Sequence, residues 1–240
     1  GEYTFDAFVE GVEIINGTLY IIGTNDRDDV KLKIDEKKDQ LKIDAKLGRR
    51  GGSDGGSDGG GDRIRLTAPA SEIDRVVAFL RDGDDRYIGG GPDGGSDCGS
   101  DGGSDGGRDR GIEIRQLIFG GDGNDDLSGG RWMDAIFGGA GNDKIDGRAG
   151  SDILVGGKGQ DKIKGGKGRD ILIGGILDNV SQDSSILDDV DAAMAEWATG
   201  NLTDTMIYLG PIVDDHDRDE LFGKRREDSL FGGYGDGLRS

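Results

Sequence analysis

The stretch Gly120–Asp146, GGDGNDDLSGGRWMDAIFGGAGNDKID, returns to aspartate every nine residues, with glycines before it and one aliphatic residue after it. Continued to Ile173, it divides into six nonapeptides: GGDGNDDLS, GGRWMDAIF, GGAGNDKID, GRAGSDILV, GGKGQDKIK and GGKGRDILI. The first position is always glycine. The sixth is Asp125, Asp134, Asp143, Asp152, Asp161 and Asp170 in turn, and the eighth is Leu127, Ile136, Ile145, Leu154, Ile163 and Leu172. Glycine tolerates positive φ, so a short turn can close tightly and aim its carbonyls inward. Carboxylates and backbone carbonyls are the donors of a hard cation such as Ca²⁺, which takes about six to eight oxygens. One turn supplies too few, so turns must stack, eighteen residues apart if two nonapeptides make one coil. The pairs Asp125/Asp143 and Asp143/Asp161 then share one edge, and Asp134/Asp152 and Asp152/Asp170 share the other. That makes four candidate calcium sites. Trp132 at the fourth position of the second repeat and Arg148 at the second position of the fourth depart from the pattern. They set the Asp134/Asp152 site apart from the other three.

These nonapeptides resemble the RTX, or haemolysin-type, calcium-binding repeat, whose pattern marks a parallel β-helix. The resemblance implies an all-β fold, a right-handed parallel β-roll or solenoid. Two nonapeptides would make one coil, the glycine–aspartate halves forming turns and the last three residues short strands. It implies that the six aspartates bind calcium together with the turn glycines Gly121, Gly123, Gly139, Gly141, Gly157, Gly159, Gly166 and Gly168. It also implies a secreted or cell-surface bacterial protein, adhesin-like or matrix-like. Two alternatives are a calcium-dependent module binding an extracellular glycan or protein, and the non-catalytic part of a secreted hydrolase.

Stacked aspartates repel one another, and six aliphatic residues are a small core for an array of this length. The array is therefore expected to fold only with calcium, the free energy of metal binding becoming folding free energy. Odd and even repeats differ at positions 7 and 9. Odd repeats carry Asp126/Ser128, Lys144/Asp146 and Lys162/Lys164; even repeats carry Ala135/Phe137, Ile153/Val155 and Ile171/Ile173. One outer face is then wet and the other apolar, and an apolar face of that extent calls for a cover. SSILDDVDAAMAEWATG follows, with Leu187, Val190, Met194 and Trp197 on one helical stripe between Ser185 and Gly200. This helix is expected to pack on Phe137, Val155 and Ile173, the rival being that the face receives a partner. LTDTMIYLGPIV suggests a short second helix.

Outside the array, residues 1–110 read as a β region. Asn16-Gly17 lies between two β-branched runs and marks a hairpin. VKLKIDEKKDQLKIDAKL marks another, with Val30, Leu32 and Ile34 on one face. Gly/Ser/Asp-rich loops fall at 51–61 and 89–107. GTNDRDDVK (23–31) and LRDGDDRYI (80–88) look like decayed repeats. The organisation expected is the β region, the nonapeptide roll at 111–175, a helical insert at 176–213 covering it, and degenerate repeats at 214–240.

The 240 residues carry a net charge of −19, which disfavours nucleic acid and favours cations. No run approaches the length of a membrane span, and GEYTFDAF at the start lacks the pattern of a secretory leader. The one cysteine, Cys98, cannot form an internal disulfide. GGSDG (51–55, 55–59) matches the serine-hydrolase elbow in letters only. It lacks the flanking strand and helix, and His216 is the only histidine. There is no H-E-x-x-H, so no enzyme is expected in this chain. Asp215, Asp217 and Asp219 start like an EF-hand loop but lack its glycine and closing glutamate; Asp219 fits the sixth position of a decayed repeat better. Lys158, Lys162, Lys164 and Lys167 read as a solvated face.

Overall fold

Alternation between odd and even repeats becomes alternation between two sheets. A computed structural model describes residues 10–48, 62–90, 113–177, 185–209, 211–224, 228–232 and 237–239. The tract at 51–61, most of that at 89–107 and Cys98 lie outside the described residues. Even repeats supply Asp134–Ala140, Ile153–Lys158 and Ile171–Ile173 to one sheet; odd repeats supply Asp126–Ser128, Lys144–Asp146 and Lys162–Lys164 to the other. Within each sheet these strands are parallel and in register, Ile136 beside Leu154 beside Leu172, and Leu127 beside Ile145 beside Ile163. Both sheets continue beyond the array. The first reaches back through Arg115–Asp122, Arg75–Asp82 and Thr18–Ile22 to Gly11–Ile15. The second reaches back through Arg86–Ile88 and Asp29–Asp35 to Gln40–Leu47 and Asp62–Pro69.

Both hairpins read from the sequence are present. Gly11–Ile15 pairs antiparallel with Thr18–Ile22 through Asn16 and Gly17, both at positive φ. Asp29–Asp35 pairs antiparallel with Gln40–Leu47, with Val30 and Leu32 buried and Lys31 and Lys33 exposed. The eighth-position residues Leu127, Ile136, Ile145, Leu154, Ile163 and Leu172 are all buried between the sheets in one core cluster.

The two outer faces differ as the side chains require. On the second sheet Asp126, Lys144, Lys162 and Lys164 are exposed. On the first, Ala135, Phe137, Ile153, Val155, Ile171 and Ile173 are buried in a second cluster that also holds Leu187, Val190, Met194 and Trp197. These last four come from helix α1 (Ser185–Thr199); a second helix, α2, runs Leu202–Leu209. Arg169 fixes α1. It donates to the Trp197 carbonyl at 2.7 Å, its guanidinium lies 4.4 Å from the indole centroid, and the indole Nε1 donates back to the Arg169 carbonyl at 2.9 Å. Arg75 pairs with Asp191 at the other end of the contact. Phe79, Phe119 and Phe137 continue the covered face as a stacked column, with ring centroids 4.8 and 5.0 Å apart.

Candidate calcium sites

Each sixth-position carboxylate gives one oxygen to the fold. In four of the six, Oδ1 accepts the backbone N–H of the aspartate eighteen residues earlier: Asp143 from Asp125 at 2.8 Å, Asp161 from Asp143 at 2.8 Å, Asp152 from Asp134 at 2.9 Å and Asp170 from Asp152 at 3.0 Å. These are the four pairs read from the sequence. They stack through the backbone, so successive turns are locked in register by the residue that would hold the ion.

The other oxygen is left over. Oδ2 of Asp125, Asp143, Asp152 and Asp161 is buried and has no hydrogen-bond partner. Burying an unpaired carboxylate costs several kcal/mol. Desolvation accordingly pushes these groups up, Asp143 to about 6, Asp125 to about 7 and Asp161 to about 8, and Asp152 well above the carboxylate range. A buried, unsatisfied anionic oxygen repeated at each turn suits a cation.

The glycines explain how the chain tolerates this. A Cβ at the first position would run into the Oδ2 of its own repeat: Gly120 onto Asp125, Gly138 onto Asp143, Gly156 onto Asp161. At the second and fourth positions, Gly121, Gly123, Gly139, Gly141, Gly157, Gly159, Gly166 and Gly168 have φ between +107° and +137°. Each stacks on the carbonyl of its counterpart one coil earlier, Gly141 on Gly123 and Gly159 on Gly141. Among the described residues no three acidic, histidine or cysteine side chains converge on one point. Any ion held here takes its remaining oxygens from turn carbonyls. That donor set suits calcium and not a soft metal.

Residues 117–131, 133–163 and 146–180 match the RTX calcium-binding nonapeptide repeat, in four copies. This part of the chain carries the RTX calcium-binding nonapeptide repeat. No curated protein and no solved structure matches the chain. The RTX repeat is a calcium-binding repeat and belongs to no catalytic family. Among the described residues no helix is long and apolar enough to cross a membrane.

Two features of the array escaped the sequence pattern, and one carries it further. Asp134 differs from the other sixth-position aspartates: its Oδ1 accepts from Gln116 N–H at 3.0 Å and its Oδ2 from Gly130 N–H at 2.6 Å. The ladder also extends past both ends of the matched repeats, through the decayed repeats read at 23–31 and 80–88 and through Asp219. Asp85 N–H donates to Asp125 Oδ1 and Asp28 N–H to Asp85 Oδ1, while Asp161 N–H donates to Asp219 Oδ1 and Asp170 N–H to Asp228 Oδ1. Finally, the helices are inserted inside a repeat. Asp219 stands 58 residues after Asp161 instead of 18, and a Cβ on Gly174 would meet Asp219 Oδ2. Gly174 is thus the first position and Asp219 the sixth of one repeat interrupted by α1 and α2. His216 is exposed, its Nδ1 3.3 Å from Asp214.

Proposed function

We propose that the chain is a structural module of a secreted or cell-surface bacterial protein, adhesin-like or matrix-like, that folds as a right-handed parallel β-roll when it meets calcium. The observation that carries this reading is the row of buried Oδ2 atoms without protein partners. Asp125, Asp143, Asp152, Asp161 and Asp170 would hold the ions, with carbonyls of the turns containing Gly121, Gly123, Gly139, Gly141, Gly157, Gly159, Gly166 and Gly168. Bound calcium supplies the positive charge that lets these carboxylates stay ionised while buried. The chain's own part is to present the oxygens. Oδ1 pins each turn to its neighbour, the glycines bring the backbones into contact, and the eighth-position aliphatics close the interior behind them. Extracellular calcium modules bind at about 10⁻⁴–10⁻³ M, so folding would wait for export into a calcium-rich medium.

A glycan or protein partner has less to use than the sequence suggested, because the apolar outer face is occupied by α1. The deciding experiment is a calcium titration followed by far-UV circular dichroism, with magnesium as control. A cooperative gain of β signal with calcium alone is expected. A full β signal in chelator would refute calcium-coupled folding.

A further inference from the structure

Sixth-position carboxylates fall into two classes, and the matched repeats do not divide them. In the first, Oδ2 is buried without a partner: Asp125, Asp143, Asp152 and Asp161, and also Asp85, 2% exposed, in the turn 80–85 well before the matched repeats. In the second, Oδ2 accepts the N–H of the residue four earlier, the second position of the turn. Asp134 takes it from Gly130 at 2.6 Å, Asp28 from Thr24 at 2.8 Å and Asp228 from Lys224 at 2.5 Å.

The backbone at that second position separates the classes. It is left-handed in these five turns: Gly121, Gly139 and Gly157 at +111°, +120° and +110°, and the non-glycines Arg148 at +67° before Asp152 and Arg81 at +76° before Asp85. Gly130, Thr24 and Lys224 are not left-handed. Positive φ turns the amide away from the carboxylate; ordinary φ aims it at Oδ2, and the protein then satisfies the oxygen itself. An arginine held at positive φ carries a conformational cost that glycine avoids. Arg81 and Arg148 both bear it at the position that keeps Oδ2 free.

The turn around Asp85 otherwise stacks like an array turn. Gly83 is at φ +133°, and Gly123 stacks on the Gly83 carbonyl as Gly141 does on that of Gly123. Gly83 N–H donates to Asp122 O at 2.7 Å, the bond Gly123 makes to Ala140. The fifth position runs on too: Asn124 N–H donates to Asp84 Oδ1 at 2.9 Å, as Asn142 does to Asn124. The departure is Leu80 at the first position, whose side chain is buried in the inner core. Around Asp134 the surroundings are those of an end. The ladder position before it is the neutral Gln116, whose Oε1 accepts from the buried Tyr87 hydroxyl at 2.8 Å.

We propose that Asp85 is a calcium ligand stacked on Asp125, that Asp134 is a metal-free cap of its edge, and that the sign of φ at the second position of each turn decides between the two. This rests on reading the array as a calcium module.

The test is calcium stoichiometry by titration calorimetry on the full 240-residue chain, comparing wild type with Asp85→Asn, Asp134→Asn and Asp143→Asn. Asparagine keeps the Oδ1 acceptor that stacks the turns. Asp85→Asn and Asp143→Asn are expected each to bind fewer ions than wild type, and Asp134→Asn the same number. If Asp85→Asn keeps the wild-type number, or Asp134→Asn loses an ion, while Asp143→Asn binds fewer, this proposal is overturned and the array reading stands. If Asp143→Asn also keeps the wild-type number, or wild type binds no calcium, the array reading fails as well. Should Asp85→Asn lose its β signal in saturating calcium, the anomalous difference map of calcium-loaded wild-type crystals decides. Density at Asp85 Oδ2 and none at Asp134 supports the proposal; no density at Asp85 overturns it.

Discussion

Asp143→Asn separates the two oxygens of one carboxylate. Oδ1 accepts from Asp125 N–H at 2.8 Å and an asparagine oxygen can do the same, whereas Oδ2, buried and without a partner, becomes an amide that repels a cation. Asp143 stands between Asp125 and Asp161, so it borders two stacking intervals. For a site of about 1 mM Kd, 10 mM calcium stabilises the folded state by about 1.4 kcal/mol. Two intervals make about 2.8 kcal/mol, or a Tm lowered by about 6–11 °C in a chain of this size. The sign reverses in chelator. Burial already pushes the Asp143 carboxyl up to about 6, so at pH 7.5 the folded metal-free chain holds it as a costly anion. The neutral asparagine is expected to keep no less residual β signal than wild type there. Thermal melts of both proteins in 10 mM calcium, and their residual β signal in chelator, measure the two effects. A calcium increment equal to that of wild type, or a loss of β signal relative to wild type in chelator, would refute the assignment of Oδ2 to calcium.

Acidity should act oppositely with and without metal. Carboxylates raised in the folded state to about 6, 7 and 8 at Asp143, Asp125 and Asp161 bind protons there that the unfolded chain releases near its ordinary value. Their contribution is therefore fully present below about pH 4 and is lost as pH rises through 6–8. In chelator, β signal at pH 5 should exceed that at pH 8.5. In saturating calcium the same acidification should lower the Tm, because protons compete with the ion; equal pH profiles in both media would sink this. Gly138→Ala places a Cβ against Asp143 Oδ2 and the Gly156 carbonyl; the calcium midpoint for folding should rise several-fold, and an unchanged midpoint would show that the first position has room. Trp197→Ala removes the residue gripped by Arg169 and should cost about 3–5 kcal/mol in calcium-loaded denaturant melts, with calcium stoichiometry unaltered. A loss under 1 kcal/mol would mean that α1 is not held by this contact.

What the sequence disclosed was whatever has a period. The nine-residue spacing placed the aspartates eighteen residues apart on two edges, where Asp125 and Asp143, and Asp134 and Asp152, do meet. The alternation at positions 7 and 9 separated a wet sheet face from one that α1 covers. What it hid depends on single torsions. Asp134 sits in a sequence that begins with the same two glycines as its neighbours, yet Gly130 is not left-handed and its N–H reaches Asp134 Oδ2. Glycine permits positive φ without requiring it, so letters alone do not say which carboxylate is free. Arg81 and Arg148 make the complementary case, residues that disguise a turn the backbone still forms. Asp28, Asp85, Asp219 and Asp228 fall in stretches that read as decayed repeats, but their ladder partners were obscured because 40 to 58 residues, not 18, separate them.

Position explains why an insertion of that size does not break the two sheets. The chain leaves the array at Gly174, directly after Ile171–Ile173 of the apolar sheet, and returns in time for Asp219 to accept from Asp161. Ile176–Leu177 pairs antiparallel with Ile212–Val213 and closes the neck of the insert. The interrupted turn therefore has its two ends held together, and loop-closure entropy rises only slowly with the length of what hangs beyond. Leaving from the apolar sheet also delivers α1 to the one outer face that needs covering. Arg169, the fifth residue of the last complete repeat, is the bolt: it grips Trp197 while its neighbour Asp170 accepts from Asp152 in the ladder. The cover and this turn of the ladder thus share two adjacent residues, which ties the helix to the array beneath it.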